Sequence, residues 1–440
     1  MELFLTALNA LGVTNDELIK LAIETGFSKR AGGKIDPIDF ISTLCETSVL
    51  GGASCNDIGS RLNLRNSTSI SKQAVWLRLN DSCKKFTERI LALIITAKIG
   101  SGKYPLLSKC SKYNRILIQD STIIKLPSRL FDEYSGVSNG KCVVCNARIQ
   151  VVYDIISCEF ITFKIEKYSK NDLVAAPELQ LEQNDLVLRD RGYLTLNEIE
   201  RHVSKGADCI YRHKHNTIYF DQKTGEKICL LSLLRKHQSI DIEVCLNNDT
   251  KTKVRLIAAP VNEKTANTRR MKLKREQRGH SPSKGQLAMA SWTVFITTIP
   301  QNCVTFDEIL EIYGLRWRIE IVFKAWKSHM NFSTLNNVPA PKLLILINAR
   351  IIMITLLNNC VFNRAILRVK TYYHKTLSMI KFTKVMTTQT PRIVEIMKVL
   401  DSTTGKHPAI EYLSNFCTYD QRKRLNYEDI KEKTLYKTLA

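Results

Sequence analysis

Acidic side chains are in short supply in this chain. There are 42 Asp and Glu against 65 Lys and Arg, which leaves a net charge of +23 at pH 7. With 44% hydrophobic residues among 440, the chain can still build two or three domains with real cores, and the charge excess then points to polyanionic partners. The first twenty residues, MELFLTALNALGVTNDELIK, lack the basic start and cleavage-site pattern of a secretory leader. Thirteen cysteines, an odd number scattered from Cys45 to Cys417, therefore read as thiols of a reduced, cytoplasmic protein rather than as a disulfide scaffold. Cys142 and Cys145 have zinc-knuckle spacing, but no second pair or nearby His completes four ligands, and the reading is a strand with two thiols. The apolar run Leu343 to Phe362 is interrupted by Asn348, Arg350, Asn358 and Asn359, so a buried core helix is expected there and not a membrane span. Internal repeats and long low-complexity linkers are absent too, and no domain boundary is sharply marked.

Three stretches carry chemistry. RILIQDSTIIKLP has a β-branched run that delivers Asp120 at or just before its end, and NDLVLRDRGYL delivers Asp190 after Leu186, Val187 and Leu188. Between them, Asn146 to Ser169 reads as two adjacent strands. The third stretch, IYGLRWRIEIVFKAWK (Ile312 to Lys327), lacks Pro and repeats its apolar residues at spacings of three and four, which predicts one helix. On that helix Tyr313, Arg316, Glu320 and Lys327 share a stripe, while Trp326 falls on the core side. A solvated Arg/Glu pair at i,i+4 is worth only a few tenths of a kcal/mol. The competing reading makes Glu320 a metal ligand, completed by carboxylates at strand ends, where open α/β sheets keep their sites. An Asp at a strand end is by itself a turn or cap residue. Two such Asp and one helical Glu are the set that can hold a pair of Mg²⁺ ions on a phosphodiester.

Tyr313, Arg316, Glu320 and Lys327 fit the pattern Y-x2-R-x3-E-x6-K. With DST at Asp120 and DRGY at Asp190, the chain resembles the bacterial DDE transposases of the insertion sequence 4 group over about Asn114 to Met330. The resemblance implies an α/β, RNase-H-like (retroviral-integrase-like) catalytic core with a β-rich insertion, an α-helical N-terminal DNA-binding domain and a helical C-terminal region. In residue numbers this gives 1–110 for the N-terminal domain, 111–207 and 301–365 for the core, 208–300 for the insertion and 366–440 for the C-terminal region, a candidate for dimerisation. It assigns Asp120, Asp190 and Glu320 as catalytic metal ligands for two Mg²⁺ ions, with Mn²⁺ able to substitute. Tyr313, Arg316 and Lys327 would contact DNA phosphate. Trp292 falls where the family stacks an aromatic on a flipped base, and Trp317 where some members place a second one. The expected partners are double-stranded transposon ends and target DNA, bound by a homodimer in the DNA complex, with no membrane; the setting is the bacterial nucleoid.

Two further segments bear on DNA. Glu263 to Gly285 is the most basic, and Arg269, Arg270, Lys272, Lys274 and Arg275 are expected to contact phosphate without reading sequence. Near the N-terminus, a helix containing Ile58 and Leu62, a polar turn, and a second helix capped by Ser71 form a helix-turn-helix-like pattern that would present Lys72 and Gln73 to base edges; an ordinary helical packing domain is the alternative. The apolar run Leu343 to Phe362 is expected to close the core from behind. The functional expectation is cut-and-paste transposition. A nuclease without strand transfer and a non-catalytic DNA-binding repressor are the alternatives.

Overall fold

The computed structural model describes residues 2–29, 35–50, 53–97, 106, 109–136, 144–170, 172–276, 281–332, 335, 337–402, 405–420 and 425–436. Cys142 lies outside them; Cys145 is buried as a free thiol. The chain opens with α1 (Glu2–Ala10), α2 (Asn15–Glu24), α3 (Pro37–Leu50), α4 (Cys55–Asn66), α5 (Lys72–Arg78) and α6 (Asp81–Thr96). Their starts are written in the sequence: Thr14, Ser54, Ser71 and Asn80 each accept a backbone N–H two or three residues into the helix they precede.

A ten-stranded mixed sheet follows, built from β1 (Arg115–Lys125), β2 (Asn146–Asp154), β3 (Glu159–Lys167), β4 (Asp185–Arg189), β5 (Asp208–Arg212), β6 (Tyr219–Asp221), β7 (Lys227–Ile228), β8 (Ile240–Leu246), β9 (Lys253–Pro260) and β10 (Trp292–Thr297). Its order is β3-β2-β1-β4-β5-β10-β9-β8-β6-β7. β4 pairs in parallel with both β1 and β5, and the remaining neighbours are antiparallel. Parallel neighbours need a crossover. α7 (Asp172–Ala175) lies in the one before β4, and α8 (Leu196–Ser204) is the crossover from β4 to β5. The two sheet faces bury different sets. Ile116, Ile118 and Ile124 of β1 join the larger apolar cluster, and Leu117, Val187, Ile199 and Tyr211 join the second. Each such fully buried aliphatic side chain contributes about 1.5–3 kcal/mol.

β5 begins at residue 208, where the insertion is expected to start. Leu186 to Arg189 of β4 pair with Asp208 to Tyr211 in parallel, so β5 belongs to the same parallel run as β1 and β4. α9 (Leu230–His237), α10 (Glu263–Glu276) and α11 (Lys284–Met289) lie among the later strands.

The chain closes with α12 (Phe306–Gly314), α13 (Trp317–His329), α14 (Ala340–Leu356), α15 (Asn363–Tyr373), α16 (Met379–Thr388), α17 (Thr390–Ser402), α18 (Pro408–Phe416) and α19 (Tyr427–Leu435). Between α14 and α15 the backbone widens into a π-helical segment, Leu357–Phe362. α14 is buried, as expected, and packs chiefly on α3 and α6. Asn348 Nδ2 donates to Thr87 of α6, and Arg350 donates to the Ser48 carbonyl of α3. α1 likewise packs on α17. Residues 1–110 therefore share one core with the chain after residue 339, and position 110 is not a packing boundary. Two of the polar groups that interrupt the apolar run, Asn348 and Arg350, join its helix to α6 and α3.

Candidate active site

Strand register brings the two aspartates side by side. The parallel β1–β4 ladder ends at the pair Gln119 and Arg189, and the next residues on each strand are Asp120 and Asp190. Adjacent strands lie about 5 Å apart. β1 itself does not end there; it continues to Lys125 along β2, so Asp120 lies mid-strand, where its parallel neighbour stops. Asp190 begins a 3₁₀ turn without using its side chain as the cap, unlike the ordinary strand-end Asp.

Glu320 arrives from α13. The expected single helix through Ile312 to Lys327 is broken: α12 stops at Gly314 and α13 starts at Trp317, with Leu315 and Arg316 forming the corner. Tyr313, Arg316 and Glu320 stay neighbours across the break: the Arg316 guanidinium lies 5.9 Å from the Tyr313 ring centroid and bonds Glu320. Tyr313, still on α12, faces inward at 9% exposure, packs on Phe295 with ring centroids 4.9 Å apart, and donates its hydroxyl to the Arg189 carbonyl at 3.3 Å. It ties α12 to the residue immediately before Asp190.

Arg316 stands at the centre. One guanidinium nitrogen donates to Asp120 Oδ2 at 2.7 Å and another to Glu320 Oε1 at 2.6 Å. Its Nε is buried without a hydrogen-bond partner. Burial pushes the Asp120 carboxyl up to about 6, and the negative charges of Asp190 and Glu320 add to that push, while Arg316 and the Ser121 N–H oppose it. For Arg316, burial favours the neutral form, but Tyr313, Asp120 and Glu320 outweigh it and raise its pKa.

Three carboxylates with no nitrogen or sulfur donor among them suit a hard divalent cation. Among the described residues no three His, Cys, Asp or Glu side chains already stand close enough to hold a metal. Here the guanidinium supplies the positive charge that Asp120 and Glu320 face. The donor chemistry and the shifted Asp120 fit a divalent ion once Arg316 withdraws.

The other expected contacts divide. Lys327 lies exposed on α13, about 10 Å along the helix from Glu320. Trp317 is 56% exposed beside Arg316. Trp292 is half-buried against the second apolar cluster and donates its indole N–H to the Gln238 carbonyl at 2.9 Å, which gives it packing partners. Trp326 is in the core with Phe160, Phe323 and Phe332, as expected.

The basic segment is a helix, α10, and it too divides. Arg269 donates to the Trp292 carbonyl and Thr293 hydroxyl, and Arg270 to Ser291, Leu287 and Glu263, so these two fasten α10 to its surroundings. Lys272, Lys274 and Arg275 are exposed. In the N-terminal pair, Ser71 caps α5 and leaves Lys72 and Gln73 exposed, while Lys342 of α14 donates to the Trp76 and Leu79 carbonyls at the other end of α5, 2.6 Å each.

A polar network on the reverse face of β1 escaped the sequence reading. Ser121 Oγ and Arg148 both donate to Asp172 Oδ1, Gln150 Nε2 donates to the Asp172 carbonyl, and Tyr193 donates its hydroxyl to Gln150 Oε1 at 2.8 Å. Ser121 and Tyr193 belong to the DST and DRGY segments, so those segments carried the signal. Asp172 and Arg148 have no local pattern that marks them.

Comparison with known proteins places the chain in a family. Residues 113–338 match the family described as "Transposase DDE domain". The transposases for insertion sequence elements IS231E and IS231D of Bacillus thuringiensis subsp. finitimus are 26% and 27% identical, covering 69% and 80% of this chain and 68% and 78% of their own length. The transposase for IS1151 of Clostridium perfringens is 23% identical over 79% of this chain and 78% of its own. A solved piggyBac transposase synaptic complex with hairpin DNA aligns with 98% of this chain and 88% of its own, at 11% identity and a TM-score of 0.45.

Proposed function

Since the chain belongs to the DDE transposase family and is a DNA transposase, we propose that it moves its own insertion sequence by cut-and-paste, nicking at the terminal inverted repeats and joining the freed 3′-OH to target DNA. The observation that supports this reading is that one guanidinium, Arg316, joins Asp120 to Glu320, while the β1–β4 ladder sets Asp190 beside Asp120. The strand order β3-β2-β1-β4-β5, antiparallel then parallel, supports an RNase-H-like core. Divalent ions held by the three carboxylates, two Mg²⁺ or Mn²⁺, would supply an activated water and neutralise charge on the phosphodiester oxygens.

The chain's own residues do the rest. Asp120 is ionised above about pH 6 and keeps the Arg316 guanidinium in place until DNA arrives. DNA phosphate then offers that guanidinium an alternative bidentate partner, and its withdrawal uncovers the carboxylates. Trp317 presents an aromatic face to an unpaired base, an interaction worth about 1–3 kcal/mol. Lys327, Lys272, Lys274 and Arg275 hold backbone phosphates. The α4–α5 pair, at nucleoid DNA, reads the repeat through Lys72 and Gln73. Two ends cut together require two copies, and we read the DNA-bound form as a homodimer.

The test is Mg²⁺-dependent cleavage of a linear duplex carrying the element's boundaries, wild type beside Asp190→Ala. Specific boundary nicks that vanish in the variant support the reading. Nicks without strand transfer would move it to a nuclease, and binding without cleavage by either protein would move it to a repressor.

A further inference from the structure

Cys158 and Lys431 meet 273 residues apart in sequence. Cys158 ends the turn between β2 and β3, held in the left-handed region at φ 59°. That conformation is costly for a residue with a Cβ. It is fixed from outside: the Cys158 carbonyl accepts from Asn358 Nδ2 at 2.9 Å and Asn363 Nδ2 at 2.7 Å, both from the π-helical segment and the start of α15. Lys431 lies on α19, only 9% exposed, and Nζ points at Cys158 Sγ from 2.7 Å. The thiol in turn faces the Ile155 carbonyl at 3.4 Å.

A buried ammonium ordinarily finds a carboxylate. The nearby Glu428 is engaged by Arg318, and the acceptor that Lys431 meets is sulfur. Burial disfavours the charged lysine, but Cys158, Tyr436 and Glu428 outweigh burial and raise its pKa. The separation is shorter than an ordinary N–H···S hydrogen bond and small enough for one oxygen atom to span. Both partners are held by tertiary structure, not by flexible chain ends.

We propose that Cys158 and Lys431 form a redox-reversible covalent bridge in which one oxygen atom joins sulfur to nitrogen, stapling α19 to the β2–β3 turn. Dioxygen is the oxidant. One of its oxygens enters the bridge, bonding to Sγ and Nζ, and the other leaves as water with one hydrogen from the thiol and one from the lysine nitrogen, whose additional ammonium proton goes to solvent. Sulfur and nitrogen together lose four electrons and dioxygen gains them. Two equivalents of a dithiol reverse the step, returning thiol, amine and water and leaving two disulfides. The staple bears on the active-site corner, because α19 also holds it: Tyr427 donates to the Leu315 carbonyl at 2.9 Å, and Glu428 pairs with Arg318, two residues before Glu320.

The experiment is peptide mass mapping of the full-length protein, purified in air and split into untreated and dithiol-treated halves, alongside Cys158→Ser and Lys431→Arg. The expected result is a cross-linked species joining the Cys158 and Lys431 peptides, heavier than their sum by one oxygen and lighter by two hydrogens, which dithiol abolishes and both variants lack. Thermal denaturation of untreated wild type is then higher than after dithiol, with no such difference in Cys158→Ser. Quantitative alkylation of Cys158 in the air-exposed wild type would overturn the proposal, as would its oxidation to sulfinic acid without linkage to Lys431.

Discussion

Replacing Arg316 by Met isolates the guanidinium at the centre of the site. Met keeps the length and apolar stem but leaves Asp120 and Glu320 with no cation between them. The side chains of Arg316 and Asp120 are 14% and 20% exposed and that of Glu320 is 34% exposed. Removing one partner of a buried pair costs about 3–5 kcal/mol. Water screens the Glu320 half of the bridge, so the lower end, about 3 kcal/mol, is the expected loss at pH 8. Arg316 is one of the groups that hold Asp120 down, so the variant's Asp120 carboxyl lies above the wild-type value of about 6. A carboxyl raised in the folded state costs stability above its folded pKa, and the cost disappears as pH falls towards the unfolded value. The deficit should therefore be largest at pH 8 and shrink below pH 6. Added Mg²⁺ should stabilise the variant more than wild type, because no guanidinium has to be displaced. The assay is urea unfolding at pH 8 and pH 5.5, each with and without Mg²⁺. A variant as stable as wild type at pH 8, and equally indifferent to Mg²⁺, would refute the reasoning.

Asp120→Asn should abolish the loss of stability that the raised Asp120 carboxyl gives the wild type as pH rises from about 4 to about 6; unfolding across pH 4–8 checks it, and an unchanged pH profile would contradict the reasoning. Trp317→Ala should weaken DNA-end binding by about 1–3 kcal/mol and leave the melting temperature unchanged. Trp292→Ala should instead lower stability by about 2–3 kcal/mol, through lost packing and an orphaned Gln238 carbonyl, when both variants are compared by calorimetry and gel shift. Lys274→Ala should reduce the salt dependence of DNA binding by about one unit of slope, while Arg269→Ala should mainly destabilise the fold; the reverse pattern would return Arg269 to the DNA.

Much of the candidate site was legible because its signals are local. β-branched runs ending near an Asp specify strands, and Ser71 is a cap wherever its helix lies. The acidic shortage announces a polyanion partner without any fold. Local signals failed where a helix breaks without Pro. Nothing in Tyr313-Gly314-Leu315-Arg316 forces the corner, yet packing Tyr313 on Phe295 and directing Arg316 to Asp120 requires it.

The sequence by itself therefore determined the strands, many of the helix starts and the charge, because each depends on composition or on neighbours a few residues away. Only the tertiary structure decided that Tyr313 and Trp292 are packed while Trp317 is exposed. It also decided that the N-terminal helices share a core with α14, that Arg148 and Asp172 brace the back of β1, and that Lys431 meets Cys158. Those outcomes depend on which of several compatible faces is buried and on contacts between residues far apart in the chain, and no periodicity in a single sequence encodes either.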